Sequence, residues 1–85
     1  MRDDIATRFG WFIKKGRLAR GMSQTDVAEK LNINQSYYSR IEAGDRNVDL
    51  SLAIGICSVL NLDMNTFLKA APAKQLDFLE QLDAR

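Results

Sequence analysis

Apolar residues recur along this chain three and four positions apart, in segments separated by short polar or glycine-containing breaks. That period marks helices with one buried face, so the chain reads as all helix. Ile5, Phe9, Phe12, Ile13 and Leu18 define a first helix over about residues 4–19. Asp3 and Asp4 suit its positive N-terminal end, and Arg17 and Arg20 its negative C-terminal end. Gly21 can take the left-handed conformation that stops a helix. Ser23, with Asp26 three positions on, has the form of an acidic capping box and starts a second helix. Val27, Ala28 and Leu31 form its inner face. Asn34 caps a third helix, with Tyr38 and Ile41 turned inward and Gly44 at its end. Asp49 caps a fourth, roughly 50–60, in which Leu50, Ala53, Ile54, Cys57 and Leu60 fall at core spacing. Leu52 and Val59 are left on its outer side. Asp63 caps a short fifth helix over 64–70, carrying Met64, Phe67 and Leu68. Beyond Pro72, Leu76, Leu79 and Leu82 repeat every three residues beside Phe78, the pattern of a short amphipathic helix whose apolar stripe needs a partner.

The sequence has 85 residues, the size of one small domain with no internal boundary. Such a domain buries a modest core, so a second subunit would help to stabilise it. An apolar content of 46% is globular rather than disordered. The longest apolar-rich stretch, Leu52 to Leu60, reaches about half of the ~18 residues a membrane span needs. The first ten residues have no signal-peptide layout. The single cysteine, Cys57, cannot form an internal disulfide, so a reducing, cytoplasmic compartment is expected; it reads as core filler. There is no histidine, which removes His-based proton transfer and His-containing metal sites. There is no glycine-rich phosphate loop, and the cysteine has no histidine to activate it. No catalytic residue, metal ligand or cofactor site is expected.

A net charge of +1 is uninformative until it is divided along the chain. Residues 1–48 hold nine Lys/Arg against six Asp/Glu; residues 49–85 hold three against five. A basic front half and an acidic back half fit a protein with one DNA-facing side.

The third helix supplies the chemistry such a side needs. An α-helix fits the major groove of DNA, where each base pair shows its own pattern of donors and acceptors. Gln35, Ser36, Ser39 and Arg40 share one broad face, while Tyr38 and Ile41 point the other way. Gln can pair bidentately with adenine and Arg with guanine, and Ser is a less selective donor or acceptor. Other residues keep two readings. Tyr37 reaches a phosphate through its hydroxyl or shields the turn. Arg17 and Arg20 serve DNA or only the helix dipole. Glu42 reads as structural, pairing with Arg17 or Arg46, since a carboxylate repels DNA.

The ordered set of residues resembles the Cro/C1-type helix-turn-helix family, also called the XRE family. The matching residues are Ile13 and Arg17, then Gly21-Met22-Ser23-Gln24, Val27-Ala28 and Leu31. They continue through Ser36-Tyr37-Tyr38-Ser39-Arg40-Ile41-Glu42 and Gly44, then Asn47, Leu50, Leu60, Leu62, Phe67 and Leu68. The resemblance covers about residues 9–68. It implies a five-helix, lambda-repressor-like fold with the third helix as reader, here with an extra C-terminal helix. Gln35, Ser36 and Arg40 match base-contacting positions, with Asn34 and Ser39 nearby. Gln24 matches a phosphate-binding position at a helix N-terminus, and Arg17 a phosphate-contacting or helix-bracing arginine. Arg46 and Asn47 sit in the loop that touches backbone. There are departures. Gly16 stands where a bulky core residue is usual, with Phe12 and Trp11 as candidates to fill the space. Gly55 is a second mid-helix glycine. Val48 replaces a frequent proline, and Tyr38 replaces Ile or Val.

The resemblance also implies a two-fold homodimer on double-stranded DNA. The interface expected from the apolar surface is Leu52, Val59, Leu62 and Met64 with Leu76, Phe78, Leu79 and Leu82. The compact size and the Arg46-Asn47 loop resemble restriction–modification controller proteins; phage or mobile-element regulators look similar. The competing reading is an antitoxin or protein-interaction adaptor on the same fold.

Overall fold

A computed structural model describes residues 4–70 of the chain. Five α-helices follow in order: α1 Ile5–Ala19, α2 Gln24–Leu31, α3 Gln35–Glu42, α4 Leu50–Leu60 and α5 Met64–Ala70. The expected C-terminal helix, with Leu76, Phe78, Leu79 and Leu82, lies outside the described residues. Among the described residues no helix is long and apolar enough to cross a membrane.

Each helix start is fixed by a short polar side chain that satisfies backbone donors left over in the first turn. Asp4 accepts from the Thr7 N–H at 2.9 Å and Asp49 from the Leu52 N–H at 2.8 Å. Asp63 accepts from the Asn65 N–H at 2.9 Å. At α2 the capping box is closed in both directions: the Asp26 N–H donates to Ser23 Oγ at 3.0 Å and the Ser23 N–H to Asp26 Oδ2 at 2.9 Å. Hydrogen bonds from the Ser23 backbone and hydroxyl hold the Asp26 carboxyl below its ordinary pKa. The stops are equally local. Gly21 has φ +66°, and Asn32 and Asn61 close α2 and α4 in the left-handed region at +57° and +53°.

Helix α1 packs on α3 and α4, and α2 packs on the same two helices. Between them lie Phe9, Ile13, Val27, Ala28, Tyr38, Ile41, Ile56, Cys57 and Leu60, with Phe67 joining from α5. Phe9, Phe12 and Phe67 form an aromatic cluster, with Phe67 edge-on to Phe9 at 5.4 Å and tilted against Phe12 at 5.3 Å. This cluster ties α5 to α1. Helices α1 and α3 approach closely at Gly10, where a Cβ would stand 2.6 Å from the Ile41 carbonyl oxygen and closer still to that of Glu42. Only a residue without a side chain lets α1 lie this near the end of α3.

Three expectations need correction. On α4, Leu50 and Ile54 are 74% and 56% exposed, while Ile56 is fully buried and Leu52 and Val59 are half-buried against the core. The buried face is rotated from the expected one because apolar residues surround most of this helix, so spacing alone could not choose a side. On α1, Ile5 and Leu18 are exposed. The space at Gly16 is filled by Leu62, whose Cδ1 would lie 2.7 Å from an added Cβ, and not by Trp11, which is exposed beneath the Lys14 ammonium.

Candidate nucleic-acid interface

The third helix carries its polar face outward. Gln35, Ser36 and Arg40 are exposed and Ser39 is half-buried, while Tyr38 and Ile41 on the opposite side are fully buried. Asn34 caps the first turn by accepting from the Ser36 N–H at 2.8 Å and the Tyr37 N–H at 3.4 Å. Its side-chain oxygen is therefore engaged within the helix cap. The Tyr37 ring packs against the core's edge. Arg46 and Asn47 are exposed in the loop before α4, with Arg46 Nη1 3.4 Å from the Asp45 carbonyl.

Behind this face is a buried ion pair. Arg17 Nε donates to Glu42 Oε2 at 2.6 Å and Arg17 Nη2 to Glu42 Oε1 at 3.1 Å. Arg17 Nη1 donates to the Met22 carbonyl at 2.9 Å. These bonds link α1, the turn before α2 and the end of α3. Only 8% of Arg17 is exposed. Of the two roles open to Arg17, these bonds are those of the brace: three guanidinium nitrogens are engaged by Glu42 and the Met22 carbonyl. The hydrogen bond to Glu42 raises the Arg17 pKa further, so the guanidinium stays charged. Burial opposes the charge on Glu42, but hydrogen bonding to Arg17, together with Tyr38 and Gln24, outweighs it and holds the carboxyl below the usual glutamate range. Burial pushes the Tyr38 hydroxyl well above an ordinary phenol. The hydroxyl lies close enough to Glu42 to favour its charge, yet makes no well-aligned hydrogen bond among the described residues.

Gln24 connects the brace to the polar face of α3. Its Nε2 donates to Glu42 Oε1 at 3.0 Å, and its Oε1 accepts from Gln35 Nε2 at 3.0 Å. A half-buried glutamine thus joins a buried carboxylate to an exposed residue of α3.

A short helix, a tight turn and a second helix with an outward polar face are in place over residues 24–42. A family profile described as helix-turn-helix matches residues 13–67. This chain belongs to the helix-turn-helix family. Control protein C.MunI of a Mycoplasma species is 43% identical over 49 residues, which are 56% of this chain and 66% of that protein, just under two thirds of its length. The uncharacterized HTH-type transcriptional regulator YqaF of Bacillus subtilis (strain 168) is 33% identical over 58 residues, 68% of this chain and 76% of YqaF. The restriction–modification controller protein C.Esp1396I, solved as a tetramer with its natural operator, superposes with a TM-score of 0.69 at 31% identity, covering 80% of this chain and 90% of that one.

Within the helix-turn-helix, Gln24 and Gln35, expected as a phosphate contact and a base contact, are joined by a hydrogen bond. The signal available in the sequence is that each glutamine opens its helix. The link from Gln24 to Glu42 had no such signal, because it depends on how α1 draws the end of α3 toward the start of α2. Of the expected interface residues, Leu52, Val59, Leu62 and Met64 are half-buried against the helix-turn-helix core, while Leu50 and Ile54 carry the exposed apolar surface of α4. Leu76, Leu79 and Leu82 lie outside the described residues.

Proposed function

We propose that this protein is a sequence-specific DNA-binding transcriptional regulator that docks α3 in the major groove and acts as a homodimer. The observation that carries the proposal is the exposed polar face of α3, with Gln35, Ser36 and Arg40 outward and Ser39 at its edge, backed by an ion pair that fixes the helix. A helix presenting its early residues to the groove and packing its opposite face on a partner helix is the geometry by which such motifs read bases. Gln24, the Asn34 amide, the Tyr37 hydroxyl, Arg46 and Asn47 serve as phosphate contacts that set register. The relatives support the reading: one is named a control protein, one a transcriptional regulator, and one was solved on its operator.

Selection of bound sequences from a random DNA pool tests this proposal. Two copies should enrich inverted half-sites about 34 Å apart, one helical turn. Arg40→Ala should lose discrimination at one base pair, by about 1–3 kcal/mol. Arg46→Ala should weaken all sequences alike and flatten the salt dependence. Equal behaviour of the two variants would contradict their assigned roles.

A further inference from the structure

We infer that Glu42 is a positioning residue that sets which base Gln35 reads. The inference rests on the DNA-reading function proposed above and concerns the direction of the hydrogen bonds behind it. The Glu42 carboxylate carries two hydrogen bonds from Arg17 and is charged at neutral pH. A charged carboxylate only accepts. The Gln24 group 3.0 Å from it must therefore be the NH2. That leaves the Gln24 oxygen facing Gln35, so the group Gln35 presents at 3.0 Å must also be its NH2. Each amide orientation follows from the one before it, and the first is fixed by a charge the core holds in place.

The consequence lies at the far end of the relay. Gln35 gives one N–H to Gln24 and keeps one N–H and its carbonyl oxygen. Adenine offers N7 as acceptor and N6–H as donor in the major groove, which this remaining pair matches. Guanine offers two acceptors, N7 and O6, and meets only one donor. If both amides turned over, Gln35 would accept from Gln24 and hold both N–H groups free, a pattern suited to guanine. The buried carboxylate thus selects adenine over guanine without approaching DNA. In Glu42→Gln the anchoring side chain can donate or accept, so both relay directions become available.

The experiment is pool selection with the full chain, followed by affinity measurements on the enriched site carrying each base at the position that Gln35→Ala relaxes. Wild type should prefer adenine there. Glu42→Gln should reduce the adenine-over-guanine ratio by about tenfold, within the range of one bidentate base contact, and leave the preference at the position relaxed by Arg40→Ala unchanged. A loss of fold would instead lower every preference together. Because Glu42→Gln leaves Arg17 unpaired, the neutral double variant Arg17→Met with Glu42→Gln is measured beside it. Gln24→Met cuts the relay while keeping the ion pair. Loss of the adenine preference in Gln24→Met and in a folded Glu42 variant supports the inference. Retention of it in a folded Glu42 variant overturns the relay, as does a Gln35→Ala protein that relaxes no position. A wild-type protein that enriches no sequence overturns the DNA-reading premise and the relay with it.

Discussion

Glu42 ties the chain's stability to pH. Its carboxyl is held below the ordinary glutamate value of 4.5 in the folded chain and returns toward that value on unfolding. A group whose pKa is depressed by folding contributes fully above its unfolded value and loses that contribution as the pH falls through the folded one. The melting temperature should therefore hold steady from neutral pH to about 5 and decline below about 4.5. Asp26 is depressed as well and acts in the same window and direction. Glu42→Gln isolates the buried share. At pH 7 it should be less stable by about 3 kcal/mol, since it leaves Arg17 buried and unpaired. Its acid decline should be shallower than that of wild type. Thermal melts of both proteins from pH 7 to 3 check this, and parallel curves would remove Glu42 as the cause.

At the scale of elements, the helix crossings rest on two glycines of different character. An added methyl at Gly10 meets the backbone carbonyls of Ile41 and Glu42, which cannot move without shifting α3. At Gly16 it meets only the flexible end of Leu62. Gly10→Ala should lower stability by about 1–3 kcal/mol despite the gain in helix propensity, whereas Gly16→Ala should stay near neutral. Urea melts of the two variants decide it, and equal losses would mean that the α1–α3 approach is not the limiting contact. The same elements show how far the sequence could be read. Most helix starts were legible because they are written in a local code: Ser23, Asn34, Asp49 and Asp63 cap, and Gly21 stops, whereas the cap at Asp4 and the left-handed stops at Asn32 and Asn61 emerge from the structure. The outward face of α3 was legible because its polar and apolar residues divide cleanly. The orientation of α4 was not, because Leu50, Leu52, Ile54, Ile56 and Val59 surround the helix and only tertiary contact chooses among them. Gly10 gave no sign of its role, since a residue without a side chain declares nothing until its neighbour is known.

At the scale of the whole molecule, the polar face of α3 and the exposed apolar surface of α4 belong to different helices, which leaves both available to the proposed DNA-binding dimer. Leu50 and Ile54 stand one turn apart and open to solvent, so they replace Leu52 and Val59 as the centre of the proposed interface. Ile54→Glu should shift sedimentation at tens of micromolar toward the monomer and weaken binding to paired half-sites, with little change in the thermal stability of the fold. An unaltered sedimentation profile would place the interface elsewhere. Cys57 lies on the buried side of α4. It is the chain's only thiol, it is 6% exposed, and burial pushes its pKa up. The reactive thiolate is thus doubly withheld while α4 stays seated, and an alkylating reagent must wait for that helix to open. The protein carries its own clock: the rate at which this sulfur is consumed measures how often the core comes apart.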